Sequence, residues 1–268
     1  MIVSRSMSLP IQLISTDFDG TLHSGFEDPP IPPDVERVIG RLQERGAKWI
    51  INTGRDLTSL IEELTKAQLS IRPDFVVVVE REIYKLEETG FTSVEEWNEG
   101  CARAHDELFR KVRPQMPEIQ KWIRERYKAV VYEDPYSPFC LIAENTRDAE
   151  AIHEYLSLYC QRIDHLTVMR NDVYARFSHV AYNKGTAMAE IARRLNIPRE
   201  AVFAAGDHLN DLPMLSSEYA GWLVAPVNAI PVVKETVRRQ NGYVSSMSHG
   251  YGVARGLEFF LESTGVLA

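Results

Sequence analysis

Five short runs built almost wholly of apolar residues recur along the chain: "IQLI", "AKWIIN", "DFVVVV", "AVFAAG" and "AGWLVA". A run such as Val76 to Val79 has no polar alternation, so a strand made from it must hide both faces, which a parallel sheet between helices allows. The intervening segments supply such helices. Pro32 and Pro33 mark a helix start, Val35, Val38, Ile39 and Leu42 recur at helical spacing, and Gly46 closes it. A second helix is expected from about Asp56 to Ala67, capped by Asp56 or Thr53. Ala187, Ile191 and Leu195 form a later stripe, and "DLPMLSS" reads as a short helix. Between about Tyr84 and Tyr182 the texture shifts to aromatics and mixed charge, and "FCLIAENTRDAEAIHEYLSLYC" reads as a strand and a helix. The economical architecture is an α/β core, residues 1–83 and 182–268, interrupted by a second domain over 84–181.

A chain of 268 residues with 44% hydrophobic content can bury a full core. Its formal charge of -8 argues against nucleic acid and anionic membrane as partners, since such surfaces are met by a basic face. Cys101, Cys140 and Cys160 form no CxxC pair and no even set, as expected of reduced thiols in a cytoplasmic protein. No apolar run approaches the roughly 20 residues that span a bilayer. Residues 1–10, "MIVSRSMSLP", lack a sustained apolar stretch and read as a mobile leader, with Met7 a possible start.

Four polar clusters adjoin these core elements: "DFDGT", "NTGR", "NKG" and "GDHLND". In a parallel sheet the C-terminal strand ends share one edge, where ligands bind, so four distant segments would converge. Taken alone, Asp17 and Asp19 fit a turn or helix cap as well as a catalytic pair. In strand context, Asp17 can attack an electrophilic phosphorus, and Asp19 can protonate the departing alkoxide and later activate water. Attack of anion on anion needs charge compensation. Asp207 offers a hard oxygen ligand for Mg²⁺, with Asn210 or Asp211 completing the shell. Thr53 and Gly54 provide a hydroxyl and backbone N–H groups for a phosphoryl oxygen, or an ordinary helix cap. Lys184 stands at a helix start, where a cation opposes the helix dipole, so an outside anionic partner is expected.

This ordered set resembles the haloacid dehalogenase superfamily, specifically its aspartate-nucleophile phosphatases. Similarity runs over roughly Gln12 to Leu60 and Tyr182 to Gly256, where "VAPVNAIPVVKETV" and "GYGVARGL" look like closing segments of the Cof-type branch. The resemblance implies an α/β fold, a Rossmann-like parallel sheet between helices with an inserted α+β cap domain. It further implies that Asp17 is nucleophile and Mg²⁺ ligand, that Asp19 is acid/base with its carbonyl on the metal, and that Asp207 is another ligand. Thr53, Gly54 and Lys184 would hold the phosphoryl group, Asn210 assisting and Asp211 positioning Lys184. Asp19 favours phosphoryl transfer over dehalogenation, which needs no acid there. Two departures stand out: "VVEREIYKLE" replaces the Asn-Gly pair frequent in Cof-type chains and is similar to the sucrose-phosphatase side, and His208 stands where a small residue is common.

The expected function is Mg²⁺-dependent hydrolysis of a small phosphorylated metabolite, a sugar phosphate first, through an aspartyl-phosphate. The alternatives are a sugar phosphomutase using the same nucleophile and a non-catalytic phosphometabolite-binding regulator. Arg124, Arg126, Arg170, Asn171 and Tyr174 are the candidate specificity residues of the insertion, and Trp97 and Trp122 either stack on a sugar or pack helices. The expected partner is a small phosphorylated substrate, and the expected state a monomer or weak homo-oligomer.

Overall fold

The computed structural model describes residues 9–265. Its larger sheet holds eight strands in the order β12-β11-β10-β1-β2-β3-β4-β5. These are β1 (Leu13–Thr16), β2 (Lys48–Asn52), β3 (Phe75–Val78), β4 (Glu82–Glu87), β5 (Gly90–Ser93), β10 (Val202–Ala205), β11 (Trp222–Ala225) and β12 (Tyr243–Val244). From β12 to β3 every pairing is parallel. β1 and β10 are buried at every position, β10 with four apolar residues and β1 with Leu13 and Ile14 followed by the buried hydroxyls of Ser15 and Thr16.

Helices cover both faces. On one side α1 (Pro33–Glu44), α2 (Leu57–Ala67) and α8 (His249–Ser263) pack Val35, Ile39, Leu60, Val253 and Leu257 against Ile14, Trp49 and Ile51. On the other, α6 (Lys184–Arg194) and α7 (Pro231–Arg239) pack Ala187, Met188, Ile191, Val233 and Val237 against Leu13, Ile50 and Val77. Pro33 sits at the first position of α1, where its missing N–H costs nothing. Asp56 caps α2 by accepting from the backbone N–H of Ser59.

A second, antiparallel sheet orders its strands β6-β7-β9-β8: β6 (Ala129–Asp134), β7 (Ser137–Ala143), β8 (Leu166–Asn171) and β9 (Tyr174–His179). One face packs on α3 (Glu95–Val112), α4 (Met116–Arg124) and α5 (Thr146–Cys160) through Phe139, Leu141, Phe177, Val112, Ile123 and Ile152. The other face looks toward the C-terminal edge of the large sheet. Cys101, Cys140 and Cys160 are free and buried. Among the described residues no helix is long and apolar enough to cross a membrane.

Three expectations need correcting. The boundary placed between 83 and 84 falls inside β4, and β4 and β5 pair antiparallel onto β3 as part of the large sheet. Their mixed composition is that of the outermost two strands of the sheet, half exposed to water, which mimics a change of domain. "DLPMLSS" forms no α-helix: after a 3-10 turn, Leu209–Asp211, the chain runs on through successive turns. Of the leader over 1–10, only Leu9 and Pro10 are described. Leu9 packs on the core, and the Pro10 carbonyl accepts from the Trp222 indole N–H at 3.2 Å. The remainder lies outside the described residues.

Candidate active site

Strands β10, β1, β2 and β3 lie side by side and parallel, so the residues following each emerge at one edge. Asp207, Asp17, Thr53 and Glu80 are delivered there. The chain winds outward in both directions from β1, and a crevice at such a reversal is the usual ligand site of an open α/β sheet. Here the cavity measures about 350 Å³. Asp17, Asp19, Thr53, Gly54, Arg55 and Glu80 line it from the large sheet, and the open face of the small sheet forms the opposite wall.

Beneath the crevice Lys184 is wholly buried, its Nζ 2.6 Å from Asp17 Oδ1 and 2.6 Å from Asp211 Oδ1. The start of α6 is fixed by a reciprocal cap between Asn183 and Thr186, and Asn52 Nδ2 donates to the Lys184 carbonyl at 3.0 Å. The unfavourable placement of a cation at this helix start is thus offset by two carboxylates. Burial alone would drive the ammonium toward neutrality, but Asp17, Asp211 and Glu80 outweigh it and its pKa rises.

Asp211 has no free oxygen. Its Oδ1 takes Lys184, and its Oδ2 accepts the backbone N–H groups of Asp207 at 2.8 Å and His208 at 3.0 Å. It therefore shapes the loop and holds Lys184. Asp207 Oδ1 accepts from the Thr21 hydroxyl at 2.7 Å. Gly20 permits this approach: its φ is +84°, and a Cβ there would lie 2.7 Å from Asp207 Oδ2.

Carboxylate oxygens of Asp17, Asp207 and Asp211 lie within 4.8 Å of one another, yet among the described residues the only cation that bonds to them is the Lys184 ammonium. Burial first, then Asp211, raises the Asp17 pKa well above the ordinary carboxylate value. The same two causes push Asp207 up to about 6. With Asp211 consumed, Asp17 and Asp207 retain oxygens for a hard divalent cation, and crowded carboxylates short of positive charge fit one.

This crowding has a pH signature in the metal-free protein. Asp207 takes up its proton at about 6 when folded but at the ordinary, lower value when unfolded. Its penalty is absent at low pH, where both states are protonated, and complete above the folded value. Asp207→Asn keeps a partner for Thr21 and should raise the metal-free melting temperature by a few degrees at about pH 7.5, with the gain vanishing near pH 4. A gain that persists unchanged at low pH would show that the charge is not responsible.

Asp19 is gripped by a residue to which the sequence reading assigned no role. Arg55 donates from Nε to Oδ2 at 2.7 Å and from Nη2 to Oδ1 at 2.8 Å, a two-pronged grip. The ring of Phe18 lies beneath the guanidinium, 5.6 Å from it. The signal was present, since Arg55 closes the "NTGR" cluster. Thr53 is not the cap of α2: its hydroxyl accepts from the Arg55 backbone N–H at 3.2 Å, and the cap is Asp56. Asn210 is turned toward Glu80, donating from Nδ2 to Oε1 at 3.0 Å, while its Oδ1 is buried without a partner.

Glu80 is the other missed residue, and its backbone is unusual. Val79 and Glu80 have φ of 43° and 68°, consecutive left-handed residues neither of which is glycine. Such conformations cost about 1–3 kcal/mol each and collect at functional sites. Glu80 follows the apolar run of β3 directly, as "DFDGT", "NTGR" and "GDHLND" follow theirs, which is the signal that could have found it.

Of the residues singled out in the insertion, Asn171 and Tyr174 line the crevice. Arg124 bonds Gln120, Arg126 lies over the Trp122 ring, and Arg170 pairs with Glu150 at 3.5 Å, so these arginines serve the small sheet's own helices. Trp97 donates to the Arg81 carbonyl, and Trp122 stacks on Tyr155 with centroids 3.7 Å apart, so neither faces the crevice. His208 bridges the two parts, its ring nitrogens 3.3 Å from the backbone nitrogen of Asp172 in the β8–β9 turn.

The model of the haloacid dehalogenase-like hydrolases matches the chain over residues 14–80 and 74–257. A phosphoglycolate phosphatase of Methanopyrus kandleri is 27% identical over 258 residues, 93% of this chain and 97% of the relative. A 5-amino-6-(5-phospho-D-ribitylamino)uracil phosphatase of Bacillus subtilis is 24% identical over 258 residues, covering 94% and 96%. Among solved structures, the sucrose-phosphatase of Synechocystis, determined with sucrose and phosphate, superposes with a TM-score of 0.69 at 18% identity, covering 93% of this chain and 98% of the other. That likeness concerns the fold.

Proposed function

The chain belongs to the haloacid dehalogenase-like hydrolases and is a phosphatase, and from that premise we propose that it hydrolyses a small phosphorylated metabolite, a sugar phosphate, through a phosphorylated Asp17. The observation that carries the reading is a buried carboxylate at the crevice floor, held 2.6 Å from a lysine that is itself anchored by Asp211. Relatives named for phosphoglycolate and for a ribitylaminouracil phosphate, with a fold neighbour holding sucrose and phosphate, support a substrate of this size.

Asp17 attacks phosphorus in line with the departing oxygen, its carboxylate held in place by Lys184. Thr53, with the backbone N–H groups after β2, binds phosphoryl oxygens, and Lys184 balances the charge gathering on them. Asp17, Asp207 and the Asp19 carbonyl would hold Mg²⁺, which when bound supplies the positive charge that lets an anionic nucleophile approach an anionic ester. Asp19 donates a proton to the leaving alkoxide and then draws one from the water that cleaves the aspartyl-phosphate. Donation requires its carboxyl to turn out of the Arg55 fork, so Arg55 positions Asp19 between steps. The segment 95–179 acts as a cap that excludes water from the crevice.

The test is phosphate release from a panel of phosphorylated metabolites with Mg²⁺. Turnover of at least one sugar phosphate is expected, and silence across the panel would favour a binding protein. Asp19→Asn should slow sugar phosphates about 10²- to 10⁴-fold and p-nitrophenyl phosphate far less, since p-nitrophenolate departs without a proton. Equal losses on both would contradict the acid role.

A further inference from the structure

Two side chains on opposite walls of the crevice keep hydrogen-bonding capacity that no described residue uses. From the large sheet comes Glu80: its Oε1 is tied to Asn210, whereas Oε2 has no hydrogen-bond partner among the described residues. From the small sheet comes Arg176. One amino group lies 3.5 Å from Asp134, and the other, Nη1, is buried with no partner. Asp134 is itself fixed by the backbone N–H groups of Tyr136 and Ser137, so the guanidinium is braced.

Strand register gives Arg176 its orientation. Tyr132, Cys140, Arg176 and Met169 lie in one row across the sheet, and Ile142, Tyr174 and Asn171 in the next, all on the face turned to the crevice. The two tyrosines are 37% and 53% exposed, leaving ring surface beside Arg176 for the carbon skeleton of a ligand.

A leaving group between these walls must offer a donor to Glu80 and an acceptor to Arg176. A carboxylate would satisfy Arg176 but meet Glu80 as a like charge, and an apolar group would strand both. Hydroxyls donate and accept at once. Resting on the phosphatase reading above, we infer that Glu80 and Arg176 are the specificity-determining pair, reading successive hydroxyls of a polyol phosphate from the two sides of the crevice and turning away leaving groups that carry a carboxylate.

The experiment compares kcat/KM for sorbitol-6-phosphate, phosphoglycolate and p-nitrophenyl phosphate, with Mg²⁺, in the wild type, in the near-isosteric Glu80→Gln and in Arg176→Gln, which removes the guanidinium. Wild type should favour sorbitol-6-phosphate over phosphoglycolate by about tenfold or more, and each variant should lower the sorbitol-6-phosphate to p-nitrophenyl phosphate ratio by about tenfold. Glu80→Gln should also narrow the gap to phosphoglycolate, because it removes the like charge. A wild-type preference for phosphoglycolate, or equal losses on all three substrates, would overturn the pair while leaving the phosphatase reading intact. No hydrolysis of any of the three by wild type would overturn both.

Discussion

Asp17→Asn is expected to remove phosphatase turnover, by about 10⁴-fold or more, while the melting temperature in the absence of metal stays level or rises. The amide cannot form the phosphoenzyme, so the loss belongs to the chemical step rather than to binding. Stability is spared because the wild-type carboxylate is already penalised, first by burial and then by Asp211. Asparagine still offers an oxygen to Lys184 and removes one crowded charge. Steady-state kinetics and a thermal melt on one preparation separate the two effects, and retained activity would sink the assignment.

Lys184→Met should act the other way, on stability before activity. The ammonium is the partner of two buried carboxylates at 2.6 Å. Removing one member of a buried ionic group commonly costs about 3–5 kcal/mol, because the remaining charge stays uncompensated. At about 2–4 °C per kcal/mol for a domain of this size, the melting temperature should fall by about 10 °C. Adding Asp211→Asn should recover part of that loss, since it removes one stranded charge. A single variant as stable as wild type would mean that Lys184 does not balance those carboxylates.

Much of the site was legible because its chemistry sits where periodicity locates it. Strand ends can be read from apolar runs, and Asp17, Thr53 and Asp207 follow three of them directly. Lys184 stood out by opposing its own helix dipole, and the structure supplies its anions. Roles that arise only when distant segments touch were hidden: Thr21 on Asp207, Arg55 across to Asp19, Asn210 turned to Glu80. The outer strands β4 and β5 misled because one wet face gives a surface strand the composition of a new domain. In the small sheet the face is set by register, and a shift of one residue exchanges inside for outside. Arg170 therefore turns to Glu150 while Arg176, on the neighbouring strand, turns to the crevice. Without pairing partners, arginines in that segment could not be told apart.

The central claim is that phosphate passes through the Asp17 carboxylate. Borohydride quenching during turnover of a sugar phosphate with Mg²⁺ reduces an acyl phosphate to an alcohol, and peptide mass spectrometry locates the change. Reduction is predicted on the peptide carrying Asp17 and nowhere else, and it should vanish in Asp17→Asn. Turnover that continues with no modified Asp17, or with the mark on another residue, would contradict the account.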